Sequence, residues 1–213
     1  MVLSKIIPLG FLSVGIFLLV QIILPVISFQ IWLIGQKYSN NLMISPSSPK
    51  RGQILGVSVQ NQQTFPAFVS ATSRETPVNF NEFSLTIPKL KINQAPVLVD
   101  SNDLSKGLVH LPGSALPGEK GNIFISGHSA LNKLFSLKSV PFANLTNLKK
   151  GDQILVEALG VKFKYEVFEI KVVDPSDLSV IAPSDPQGRY ISLMTCVPPG
   201  LNYKRLVVLG KMI

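Results

Sequence analysis

The groups in this chain best suited to acyl-transfer chemistry are one thiol, two imidazoles and one arginine placed shortly after the thiol. Cys196 is the only cysteine, and His110 and His128 are the only histidines. A thiolate is a strong nucleophile. An imidazole beside it can take and return a proton. Arg205 follows Cys196 by nine positions. Its guanidinium offers a planar fork of donors, suited to a carbonyl oxygen that turns negative during acyl transfer. Each residue also has a plainer reading. A free cysteine is often an inert, buried small hydrophobe, and an arginine in a basic chain is often a solvated surface charge. Two histidines without clustered thiols or carboxylates make no zinc pattern. There is no phosphate-cradling glycine loop and no serine nucleophile elbow.

The elements around these residues give them positions. Tyr190–Thr195 reads as a strand, with Cys196 at its end, and Val197-Pro198-Pro199-Gly200 breaks it. A second strand spans Leu206–Lys211, and Arg205 stands at its start. If the two pair antiparallel, Arg205 returns to Cys196. His128 closes the run Gly121–Gly127, which reads as a strand ending in glycine and exposing the ring beyond it. His110 precedes Leu111-Pro112-Gly113 and is expected in a turn, as a packing residue. Further strands are expected at Phe83–Ile87, Pro96–Val99, Gln153–Ala158 and Lys162–Val173, and a weak helical signal falls within Ala130–Leu148. Many short strands separated by Gly/Pro turns point to an all-β sandwich or closed barrel.

The chain has 213 residues, room for one good core. Its hydrophobic content is 46%, and the excess is concentrated. From Ile6 to Gln36 there is no charged residue, long enough for a membrane-spanning helix. A signal-peptide cleavage site is not evident, so residues 1–35 read as an uncleaved anchor. Pro25 is a candidate kink and Trp32 a candidate interfacial residue. Residues 36–81, rich in Ser, Asn, Gln and Pro, read as a flexible tether, with local structure at most around Ile54–Val59. Residues 82–213 read as the folded domain. The net charge of +8 is scattered rather than blocked, which speaks against nucleic-acid binding and for a solvated basic surface.

Ser192-Leu193-Met194-Thr195-Cys196 resembles the Thr-Leu-x-Thr-Cys signature of the sortase family, and Val197 through Val208 resembles the stretch carrying that family's arginine. Leu116 through His128 resembles the segment that delivers its histidine. Ile87–Ile92 with Ala95-Pro96-Val97, and Leu148–Asp152, are similar to further barrel segments. The resemblance covers roughly Ser84 to the C terminus. It implies an all-β fold: a closed eight-stranded barrel with short helices, preceded by one N-terminal transmembrane helix. It implies Cys196 as nucleophile, His128 as acid and base, Arg205 as oxyanion and substrate clamp, and Thr195 beside the substrate. His128 and Arg205 are expected to favour the thiolate. The implied activity is a cysteine transpeptidase that cleaves a Leu-Pro-x-Thr-Gly-like sorting signal and passes the acyl group to an amine of the cell surface.

The implied partners are secreted proteins with a C-terminal sorting signal, an amine acceptor on wall peptide or another surface protein, and the membrane. The domain is expected outside the cytoplasm on a single-pass anchor. No cofactor is expected: Glu166, Glu169, Asp174 and Asp177 form no metal pattern, and calcium has no support from them. Ser192 stands where the signature has Thr, and Ser129 follows His128 where Arg is common. Neither a C-terminal membrane helix nor an Asp-Pro-aromatic lid is expected, which favours a wall-anchoring type over a pilin-polymerising one. Two other readings remain: a cysteine amidase or protease that gives the acyl group to water, and a non-catalytic tethered barrel that only binds.

Overall fold

A computed structural model describes residues 3–38, 42–44, 57–62, 65–70, 79–129, 140–199 and 203–213. The chain begins with one long helix, α1 (Leu3–Tyr38), which continues through Pro25. Among the described residues eleven strands follow: β1 (Leu42–Ile44), β2 (Val57–Gln62), β3 (Phe65–Ser70), β4 (Glu82–Ile87), β5 (Ile92–Leu98), β6 (Leu108–His110), β7 (Gly121–Ser126), β8 (Gln153–Ala158), β9 (Val161–Val173), β10 (Arg189–Val197) and β11 (Lys204–Met212).

Eight of them form a closed barrel. The order β9-β11-β10-β7-β6-β5-β4-β8 is completed by pairing of β8 with β9. β9 can serve both ends because it is 13 residues long. Its first half pairs with β8 and its second half with β11. Closure leaves no unpaired barrel edge. The tight β8–β9 connection rests on an ordinary hairpin, and the turn into β8 needs Gly151, whose φ of +89° strains any other residue. Gly151 N–H donates to Val167 O at 2.8 Å and locks that turn onto β9.

Side-chain alternation decides what the barrel encloses. Phe83, Leu85 and Ile87 of β4 point inward with Ile154, Val156 and Ala158 of β8. β7 and β10 are buried on both faces. Ile123, Ile125, Ile191, Leu193 and Val197 fill the barrel. Phe124 and Met194 point outward, under a second apolar layer with Leu178, Val180 and Ile181. Asn122 ties that layer down, donating to Ile181 O at 3.0 Å and to Ser192 Oγ at 3.0 Å.

Several expectations change. β6 was not legible, because three residues are too few to show alternation; it places His110 at a strand end and not in a turn. Cys196 lies inside β10, which runs one residue further than the cysteine. The helical signal within Ala130–Leu148 lies partly outside the described residues; its end is a short 3-10 helix, Pro141–Asn147, kinked at Asn144. In the stretch read as a tether, β1 pairs parallel with β9, and β2 pairs with β3 as a separate hairpin.

α1 holds a span, Gly10–Gly35, long and apolar enough to cross a membrane. Its last turns behave differently from the rest. Phe29 is buried in the barrel's core cluster, with Trp32 and Leu33 packed against it. Trp32 stacks on Phe29 and its Nε1–H donates to Thr146 O at 3.0 Å.

Candidate active site

The thiol and the guanidinium meet through strand register. β10 and β11 pair antiparallel, and Cys196 and Arg205 are Cα partners. Partners in such a pair share one face of the sheet. The face is the outer one: Met194 and Val207, two residues inward along each strand, also belong to the outer layer. The Cys196–Arg205 pair therefore sits on the wall of the barrel, not in its lumen.

β7 pairs parallel with β10 on the other side, and the last register partners are Met194 and Ser126. Two positions further along the chain stand His128 and Cys196, beyond the point where β7 has already ended at Ser126. Two hydrogen bonds carry the chain past the end of the ladder. Gly127 N–H donates to Met194 O at 3.1 Å, and Thr195 Oγ1 donates to Gly127 O at 2.9 Å. Gly127 is required by space as well. A Cβ there would lie 2.6 Å from Leu108 Cδ2 and 2.7 Å from Phe142 Cδ2. The sequence signal for this position was the glycine before the histidine.

Burial sets the electrostatics. Cys196 is 7% exposed and packs with Leu104 and Val109. Burial pushes its thiol above the ordinary value, and the Arg205 guanidinium pulls it back only in part. Arg205 is 1% exposed, and burial holds it below its usual range, opposed by the Cys196 thiolate. Burial also lowers His128. The Arg205 guanidinium does favour the thiolate, but desolvation outweighs it, so burial holds the Cys196 thiol above its ordinary value and the His128 imidazole below its own.

The other expected residues fall as follows. Thr195, read as a substrate contact, is 2% exposed with its hydroxyl on Gly127 O. Ser129 is buried beside His128. His110 is fully buried and lies outside the Cys196–Arg205 pair. Its Nδ1 accepts from Asp100 N at 3.3 Å, and its Nε2 lies 3.0 Å from Ala115 O. A carbonyl only accepts, so Nε2 carries the proton. The Ser114 hydroxyl, 2.8 Å from Nε2, donates to Leu111 O. Sequence reasoning missed this network, which joins β6 to the loop before β7. Among the described residues, no group of three His, Cys, Asp or Glu side chains is arranged to hold a metal ion.

The family profile described as the sortase domain matches residues 85–213. The chain belongs to the sortase family. The match begins inside β4 and takes in the rest of the barrel with Cys196, Arg205 and His128. Sortase D of Bacillus subtilis is 33% identical over 132 residues, covering 60% of this chain and 61% of that protein. The chain thus spans about three fifths of that relative's length. The structure of sortase A from Corynebacterium diphtheriae aligns with a TM-score of 0.55 at 37% identity, covering 62% of this chain and 60% of that one. The pilus-related sortase C of Group B Streptococcus aligns with a TM-score of 0.56 at 33% identity, covering 64% and 69%. The closed eight-stranded barrel is the sortase fold.

Proposed function

We propose that this sortase is a membrane-anchored cysteine transpeptidase acting outside the cytoplasm. The observation that carries the reading is the register pair Cys196–Arg205, with the Gly127-His128 segment hydrogen-bonded beside it. The thiol's proton passes to His128, and the thiolate attacks the carbonyl carbon of the threonine in a Leu-Pro-x-Thr-Gly-like signal. The C–S bond forms as the carbonyl π pair moves to oxygen, where the Arg205 fork holds the negative charge. The tetrahedral centre collapses, the C–N bond breaks, and the imidazolium protonates the leaving amine. The product is a thioester on Cys196.

In the second half an acceptor amine attacks the thioester, losing a proton to His128. The C–N bond forms, the C–S bond breaks, and the thiol is regenerated. Cys196, His128 and Arg205 touch the reacting atoms in this scheme. Thr195 serves as a positioning residue: its hydroxyl fixes the Gly127 carbonyl and with it the direction in which the chain presents His128. The apolar wall of Leu104 and Val109 keeps water from the thioester. This favours aminolysis over hydrolysis.

The test is mass spectrometry of the protein mixed with a Leu-Pro-x-Thr-Gly peptide. The expected result is an acyl adduct on Cys196 that an added oligoglycine amine discharges into a ligated product. Cleavage that yields only the free acid in the presence of the amine makes the protein a hydrolase. Cleavage that survives Cys196→Ala overturns the mechanism.

A further inference from the structure

The span in α1 is longer than an untilted crossing of the membrane needs. Gly10–Gly35 has 26 residues, about 39 Å of helix at 1.5 Å per residue. The hydrocarbon core is about 30 Å thick, so the span exceeds it by about six residues. The side chains show where the helix gains a second partner, although Ile31 and Ile34 stay exposed. Gly10–Gln21 are exposed throughout, as lipid-facing positions are in a protein without lipid around it. Phe29, Trp32 and Leu33 recur at helical spacing on one face and pack on the barrel core.

A second attachment follows at once. Only three residues separate Tyr38, the end of α1, from Leu42, where β1 joins β9 in register: Leu42 with Ile170, Met43 with Lys171, Ile44 with Val172. This is the end of β9 that runs beside Arg205, since Arg205 pairs with Val173. The helix contact lies at the same end. Trp32 bonds Thr146 of the 3-10 helix Pro141–Asn147, and that helix carries Phe142, which walls Gly127 next to His128.

We propose that α1 is a bracket and not a leash. One face of its later turns, carrying Phe29, Trp32 and Leu33, belongs to the barrel, the bilayer ends near Ser28, and β1 completes a two-point clamp that seats the Cys196 end of the barrel against the lipid headgroup layer. The stretch from β1 to β4 then starts and ends on the barrel and is an excursion, not a spacer. The clamp sets the height of the thiol above the bilayer. It rests on the reading of α1 as a membrane span.

The test uses the full chain in liposomes, with Cys196→Ala removing the only native thiol. Neighbouring strands lie about 4.8 Å apart, within disulfide range. Met43→Cys with Lys171→Cys is expected to cross-link on mild oxidation at least tenfold faster than Met43→Cys with Lys162→Cys, which sits at the far end of β9. Trp32, the only tryptophan, reports depth: lipids brominated near the headgroup are expected to quench it more than lipids brominated at mid-chain. Equal cross-linking to both lysine positions, or strongest quenching at mid-chain, overturns the clamp while α1 remains a span. Release of the protein by alkaline carbonate overturns the span itself, and the proposal with it.

Discussion

Cys196 and Arg205 are Cα partners across β10 and β11, and both are almost fully buried on the outer wall of the barrel. A cation that lacks water beside a thiol that lacks water is a costly arrangement in the resting protein. It becomes favourable when the thiol or a bound carbonyl oxygen takes negative charge. The pair is therefore built for the charged species along the reaction path and not for the ground state.

Arg205→Lys retains the charge and loses the planar fork. Removal of one oxyanion donor costs about 10²–10³-fold in kcat, and a loss of that order is expected, with KM changed less. Steady-state kinetics with a fluorogenic signal peptide measures it. Parent-like kcat for Arg205→Lys means that Arg205 supplies only diffuse charge.

The pH profile of kcat/KM follows from two shifts of opposite sign. His128 lies below its ordinary 6.5, and Cys196 lies above its ordinary 9.0. The reactive thiolate–imidazolium form carries the same single proton as the resting neutral pair. It is lost when the site gains a second proton at low pH and when it loses its only one at high pH. The expected bell has its acid limb below 6.5 and its alkaline limb above 9.0. Iodoacetamide labelling at neutral pH is expected to be slower than that of an exposed cysteine. A profile flat through both regions contradicts this assignment.

The two histidines separate by type of damage. His128→Ala is expected to lower turnover by about 10²–10⁴-fold with little change in melting temperature. His110→Ala strips hydrogen bonds from the part-buried Asp100 N–H and Ala115 carbonyl, at no more than about 1–3 kcal/mol each. Its expected signature is a lower Tm with kcat per folded molecule retained. Activity and thermal melts on the same preparations check both.

Gly127→Ala drives a methyl group into Leu108 and Phe142. Overpacking of this kind costs about 1–3 kcal/mol, and the strain falls on the residue next to His128. Loss of both stability and kcat is expected. Thr195→Val, which loses only the bond to Gly127 O, is expected to lower kcat with KM nearly unchanged. A shift in KM alone for Thr195→Val points to direct substrate contact instead.

Much of this was legible from the residues in order. β8 has the bounds its alternation and flanking turns indicate, and β7 those of its apolar run beginning at Gly121, because such signals are local properties. The meeting of Cys196 with Arg205 was also local in origin, since a short connection between adjacent strands leaves little choice but antiparallel pairing. The uncharged run Ile6–Gln36 declared a helix of membrane length. Contacts between distant parts of the chain decided the rest. The parallel β7–β10 pairing, with a bond across 68 positions from Thr195 to Gly127, ties the residue before His128 to the strand that carries Cys196. The strand β6 exists because β5 and β7 flank it, not because its three residues demand it. The direction of the Cys196 shift depends on how completely Leu104 and Val109 exclude water. The division of α1 depends on Thr146 of the 3-10 helix, 114 positions from Trp32. Periodicity reports which face of an element is apolar; only the assembled fold determines what covers that face.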